Sequence, residues 1–207
     1  MTRNLKSKIL PARQSLGAGG NLKSQGGFTV VELMVVIAIM VILPAIVISN
    51  FPKIQLQFAL SRTAYKFAQN IREAQNLSIS SVKYKDSFGV EQPVAGYGVY
   101  VDIGGVGNTR YYLYADKSPG NKEYIQGFDY IISDVNFSAS EPGIVIKSVD
   151  NVFGNKASIN FNPPNPDTSI NQLNGGQSKV DVVFAFSNDL NTTRTVSINT
   201  SGLIEVK

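Results

Sequence analysis

Gly27-Phe28-Thr29-Val30-Val31-Glu32-Leu33-Met34-Val35-Val36-Ile37-Ala38-Ile39-Met40-Val41-Ile42-Leu43-Pro44-Ala45-Ile46-Val47-Ile48 is the stretch on which the fold turns. From Leu33 to Pro52, 20 residues pass without an Asp, Glu, Lys or Arg. At a rise of ~1.5 Å per residue such a helix is about 30 Å long, the thickness of a bilayer's hydrocarbon core. A helix buried in a soluble core rarely lacks a polar face for so long. Residues 28–52 are therefore expected to span a membrane. A secretory signal core is shorter, about 7–15 residues, and is followed by a small-x-small cleavage pattern. Here the chain continues as Ser49-Asn50-Phe51-Pro52-Lys53, so the helix is read as retained.

Charge is distributed unevenly around this run. Residues 1–27 contain Arg3, Lys6, Lys8, Arg13 and Lys23 and no Asp or Glu. The other 180 residues carry 14 Lys+Arg against 15 Asp+Glu, so the net +4 belongs to the leader. Basic residues on one flank orient a span with that flank in the cytoplasm and the rest of the chain outside. The remainder is near neutral and exerts no general pull on phosphate backbones, which makes nucleic acid an unfavoured partner.

Glu32 is the exception within the run. It lies at the apolar boundary, four residues after Phe28, where an unpaired charge costs at least ~2.5 kcal/mol. A carboxylate there needs either the headgroups or a positive partner.

Gly27-Phe28-Thr29-Val30-Val31-Glu32-Leu33, heading a membrane-length helix, resembles the processing signature of type IV pilins and pseudopilins. The resemblance implies cleavage between Gly27 and Phe28 by a membrane prepilin peptidase. The same enzyme, acting as methyltransferase, would N-methylate Phe28. It implies a pilin-like α+β fold: a long N-terminal helix, half transmembrane and half amphipathic, on an antiparallel β-sheet head. It also implies that Glu32 pairs with the N-terminal amine of a neighbouring subunit during filament assembly. The implied partners are other pilin or pseudopilin subunits and an inner-membrane assembly platform. Localisation would be the cytoplasmic membrane, single-pass with the head outside the cytoplasm, and then a periplasmic or extracellular filament. Pro44 lacks an N–H in mid-helix and is expected to kink the span.

Beyond Pro52 the pattern turns amphipathic. Phe58, Ala64, Tyr65, Phe67, Ala68, Ile71 and Ala74 recur at three- and four-residue steps between Arg62, Lys66, Gln69, Arg72 and Glu73. A second helical half is expected over residues 53–82, with helix from about Lys53 to Ser80. Residues 83–207 read as a β-rich head. Strands are expected at Tyr97–Ile103, Arg110–Tyr114, Tyr130–Ile132, Gly143–Ser148, Ser158–Phe161, Val180–Phe186, Thr193–Asn199 and Leu203–Val206. Asn188–Thr192 reads as a hairpin loop, and Asn162–Ser178, with Pro163-Pro164-Asn165-Pro166, as a longer one. The closing strand–turn–strand around Gly202 is similar to minor pseudopilins of the GspH/FimT type. Leu203 and Glu205 stand where some members have a basic residue, which argues against DNA uptake.

The chain has no Cys and no His, which removes disulfides, thiol metal sites and any Ser-His or Cys-His catalysis. Gly104-Gly105-Val106-Gly107 has no Lys-Ser/Thr after it and reads as a loop, not a phosphate cradle. Asn160–Thr168 offers Asp167 alone as carboxylate, too little for Ca²⁺. Tyr97, Tyr100, Tyr111, Tyr112 and Tyr114 read as strand packing, with base or sugar stacking as the alternative. No catalytic residue, cofactor or metal site is expected. The function expected is a structural subunit of a type IV pilus-like or type II secretion pseudopilus filament. The alternative is a filament-tip binding module for DNA uptake or surface adhesion.

Overall fold

The computed structural model describes residues 26–163 and 167–207. The leader bases Arg3, Lys6, Lys8, Arg13 and Lys23, and Pro164-Asn165-Pro166, lie outside the described residues. Helix α1 runs from Val30 to Ile79 and is followed by a β-rich region. The chain divides into two units, Met1–Val47 and Ile48–Lys207, each described by itself.

In the first unit, every side chain from Val30 to Val47 is exposed. Among the described residues none of these side chains is buried, and no polar stripe separates an inner from an outer face. The helix is long and apolar enough to cross a membrane. Helical conformation passes through Pro44 without interruption. Pro44 has no N–H, so the Met40 carbonyl lacks its usual helical donor.

In the second unit, α1 becomes one-sided. Leu60, Ala64, Phe67, Ile71, Ala74 and Ser78 are buried at steps of four, three, four, three and four. Ala59 and Ala68 are buried beside them and keep the stripe narrow. Phe58 and Tyr65, both expected on this face, are instead 67% and 56% exposed. Each is two residues from a buried position (Leu60, Phe67), which at ~100° per residue turns it to the opposite side. The helix closes after Ile79. Ser81 adopts φ 48°, the Ser81 N–H donates to the Ser78 carbonyl at 2.9 Å, and the Val82 N–H donates to Leu77 at 3.3 Å. This paired closure satisfies the last carbonyls with a serine in the left-handed position usually given to glycine.

The strands form two sheets and a small hairpin, all antiparallel. The five-stranded sheet has the order β5 (Tyr130–Asn136), β4 (Arg110–Lys117), β3 (Val94–Asp102), β7 (Lys156–Asn162) and β8 (Asp167–Ile170). The four-stranded sheet has the order β11 (Ile204–Val206), β10 (Asp189–Asn199), β9 (Lys179–Phe186) and β6 (Ile144–Asp150). β1 (Tyr84–Lys85) and β2 (Glu91–Gln92) pair with each other. The buried face of α1 meets both larger sheets. Phe67 lies edge-on to Tyr111 of β4, with centroids 4.9 Å apart, and to Phe184 of β9 at 5.4 Å. Full burial of such a ring contributes about 1.5–3 kcal/mol. Polar pins reinforce the seat. Ser78 Oγ donates to the Phe161 carbonyl of β7 at 2.6 Å, and Asn70 Nδ2 donates to Tyr111 OH at 3.0 Å.

Two expectations of the strand pattern change. The loop read over Asn162–Ser178 contains β8, whose Ile170 sits opposite Ile159 and is buried. The five-residue hairpin loop read at Asn188–Thr192 is a tighter turn instead. Asp189 already pairs with Phe186, and a bulge follows before Thr193 resumes pairing with Ala185. The Asp189 carboxylate shapes that bulge by accepting from Asn191 N–H at 3.1 Å and the Thr192 hydroxyl at 2.7 Å.

Two aspartates fold the 118–129 connection over the five-stranded sheet. Asp116 Oδ2 accepts from Lys122 N–H at 2.9 Å. Asp129 accepts from Lys117 N–H at 3.0 Å and Ile125 N–H at 2.6 Å. Asp116 is wholly buried, and its Oδ1 has no hydrogen-bond partner. Burial, opposed by the Lys122 N–H and aided by the Asp129 charge, pushes the Asp116 carboxyl above the ordinary carboxylate range. A carboxyl raised on folding favours the native state in its neutral form, so ionisation weakens the fold as pH rises from about 4 toward neutral. Asp116→Asn keeps the acceptor and removes the charge. The full chain in nonionic micelles is therefore expected to melt a few degrees higher as Asp116→Asn at pH 7. The gap should narrow as the pH approaches 4; a gap independent of pH would refute this reading.

Candidate processing and assembly site

Residues 26–29 precede α1 in non-helical conformation. A methyl added at Gly27 would meet no atom within 4 Å, and Phe28 is 81% exposed. The Gly27–Phe28 bond thus lies in open, irregular backbone, ahead of the first helical turn. Backbone hydrogen-bonded into a helix is closed to the extended binding that proteolysis requires, and this bond is free of that restraint.

Thr29 starts the helix. Its carbonyl accepts the first helical bond, from Leu33 N–H at 3.1 Å, and its Oγ1 accepts from the Glu32 N–H at 3.2 Å. Thr29 is therefore the N-cap, with Glu32 in the third helical position, the spacing of a capping box. The signal for this cap in the sequence is the Thr-x-x-Glu pattern before an apolar run, Thr29 to Glu32. Glu32 also places a negative charge in the first turn, where the helix dipole favours one. Its side chain is exposed and forms no ion pair or hydrogen bond among the described residues. Gly27, Phe28, Thr29 and Glu32 thus fall within six consecutive residues. Pro44 lies three turns further along the helix.

A profile described as a prokaryotic N-terminal methylation motif matches residues 22–48. The chain carries a prepilin-type N-terminus. The motif, followed by the long apolar helix, fits the type IV pilin and pseudopilin family. It supports a pilin-like precursor, processed by a peptidase and anchored in a membrane through α1. The matched segment ends before the head, and no curated protein and no solved structure matches the chain.

The other segments weighed in the sequence take structural places. Gly104 and Gly105 N–H groups both donate to Asp102 Oδ1 at 2.9 Å, closing the β3–β4 turn. Asn160 is buried within β7, where Nδ2 donates to Tyr114 OH at 3.2 Å. Among the described residues no group of three or more acidic side chains is placed to hold a metal. Tyr97, Tyr111 and Tyr114 are buried in strands, while Tyr100 and Tyr112 are half-buried. Tyr124, absent from the sequence cluster, joins Tyr100, Tyr112 and Tyr114 through its loop.

The cap is testable. An N-cap threonine contributes about 1 kcal/mol over alanine, equivalent to a ~5-fold change in local opening. In the full chain in micelles, amide exchange at Glu32 should accelerate about that much in Thr29→Ala and stay near wild type in Thr29→Ser. Identical rates in all three would show that the hydroxyl does not cap the helix.

Proposed function

We propose that the protein is a structural subunit of a type IV pilus-like or type II secretion pseudopilus filament. In this reading residues 1–27 are a leader removed by a prepilin peptidase, Phe28 becomes the N-methylated first residue, and α1 is kept as anchor and assembly element. The observation that carries it is the methylation motif placed directly on an apolar helix whose side chains from Val30 to Val47 are exposed. Five leader bases and no leader acids support a single pass with the head outside the cytoplasm.

Glu32 supplies the assembly chemistry in this proposal. A lone carboxylate in the apolar first turns is tolerable at the headgroups but costly deeper in hydrocarbon or in a helical bundle. The N-methylated amine of Phe28 on an adjoining copy is a cation of the right charge at nearly the same height. Pairing there penalises a helix that enters the bundle out of register, because an unpaired buried charge costs ~3–5 kcal/mol. Pro44 is proposed as the point where the helix bends or loosens to fit such a bundle. A structural rather than enzymatic role accords with the absence of His and Cys from the chain.

The cleavage step is the direct test. Intact-mass and N-terminal analysis of the protein from its native membranes should give a chain beginning at N-methyl-Phe28. A mature chain beginning after residue 50, or one that retains the leader, would defeat the proposal.

A further inference from the structure

Strand alternation gives the five-stranded sheet two different faces. Val99, Val101, Tyr111 and Leu113 point into the core, so Tyr100, Tyr112 and Tyr114 point to the other side. Tyr100 and Tyr112 are directly cross-strand, and Tyr114 lies opposite Gly98. A Cβ at Gly98 would come within 2.8 Å of the Tyr114 ring, so the glycine makes room for it. The 118–129 connection then brings Tyr124 against all three, with centroid distances of 4.7 Å to Tyr100, 5.6 Å to Tyr112 and 5.3 Å to Tyr114. Tyr114 and Tyr124 are buried by this arrangement, whereas Tyr100 and Tyr112 remain half-exposed. Those two, with Tyr124, Asp102 and Gln126, line a cavity of about 130 Å³ beside the β3–β4 turn.

Asp102 is the charged side chain in the lining, and Lys156 of β7 stands opposite it in the sheet register without pairing to it. Asp102 Oδ1 accepts from Gly104 and Gly105 N–H, and its Oδ2 accepts from the Tyr100 hydroxyl at 2.9 Å. An ionised carboxylate offers about four acceptor positions, so one remains open after these three bonds. Glu123 precedes Tyr124, and among the described residues neither Asp102 nor Glu123 forms an ion pair with Lys or Arg. Burial raises the Tyr100 hydroxyl above its ordinary pKa, and the Asp102 and Glu123 charges add to the shift. Aromatic faces and carboxylates that form no ion pair both attract positive charge, and the same field repels phosphate. Three rings beside a carboxylate with one acceptor position left make a pocket with a stated preference.

We propose that this cavity binds an organic cation, a guanidinium or substituted ammonium group borne either by a protein partner's side chain or by a small molecule. The rings would receive the cation's apolar shell, and the open position on Asp102 would receive one N–H or the charge itself. The reading extends beyond filament assembly and does not depend on it: its residues lie in the second unit and outside the segment that the methylation motif matches.

The test uses the full chain with ¹³C-labelled tyrosine in nonionic micelles, titrated with N-acetyl-arginine methylamide, with choline and with 3,3-dimethylbutanol, the neutral counterpart of choline. Ring resonances of Tyr100, Tyr112 and Tyr124 should shift saturably with at least one of the two cations and not with the neutral alcohol. Tighter binding of the arginine derivative would assign the cation to a protein side chain, and tighter binding of choline to a small molecule or headgroup. Asp102→Asn, which preserves an acceptor for the turn, and Tyr112→Leu should each weaken binding about fivefold. Their melting temperatures should stay within a few degrees of wild type. Should either variant unfold, Tyr100→Phe provides the comparison, since it removes one hydroxyl and keeps the ring. No saturable shift with either cation, equal response to the neutral alcohol, or unchanged affinity in folded variants would overturn the proposal.

Discussion

α1 has to satisfy two different surroundings along one helix, and the rest of the molecule follows from how it does so. From Leu33 to Val47 its side chains are apolar on every side and exposed within their unit, which suits hydrocarbon and little else. From Ala59 to Ser78 a narrow stripe is buried and the remaining faces carry Arg62, Lys66, Gln69, Arg72 and Glu73. That stripe mixes small residues with Leu60, Ile71 and one large ring. Ala64, Ala68 and Ala74 let the sheets approach, and Phe67 fills the space between Tyr111 and Phe184. A helix of this length made only of the first pattern would have no head to carry, and one made only of the second would have no anchor.

How far the sequence revealed this depended on the kind of signal. The apolar run, the alternation of Tyr97, Val99 and Val101, and the Gly202 turn each follow from local periodicity, and each is where the periodicity puts it. Phe58 and Tyr65 misled because hydrophobicity alone does not say which side of a helix is covered; only the partner sheets decide between two apolar stripes. β8 was hidden because Asp167-Thr168-Ser169-Ile170 has just one strongly apolar residue and follows prolines. Its place comes from pairing with β7, a contact that no short window contains. The division of strands into two sheets was equally non-local, since β6 joins β9 across 30 or so residues of intervening chain.

The N-terminal site was legible as a motif and only half legible as chemistry. Glu32 stood out because a carboxylate in an apolar run demands explanation. Thr29 did not, although its hydroxyl gives the Glu32 amide a partner and so fixes where the helix begins. The two residues divide the work at the helix start: one closes the backbone, the other presents a charge. With the cap taken by Thr29 Oγ1, the Glu32 carboxylate is left without a partner among the described residues, as the proposed intersubunit pairing requires. The aromatic cavity on the head was invisible for a different reason, because Tyr124 reaches it from a loop and its neighbours come from two strands.

The central claim is that the Glu32 charge, and not its bulk, brings a subunit into the filament. The measurement is the ratio of protein in sheared filaments to protein retained in the membrane, for wild type, Glu32→Gln and Glu32→Ala expressed in the native host. Loss of a charge eases membrane insertion, so all three should be inserted and processed to the same extent. The account predicts that Gln and Ala both shift the protein strongly to the membrane pool, since each lacks the charge that pairs with the neighbouring amine. A Gln variant that enters filaments as well as wild type would contradict it.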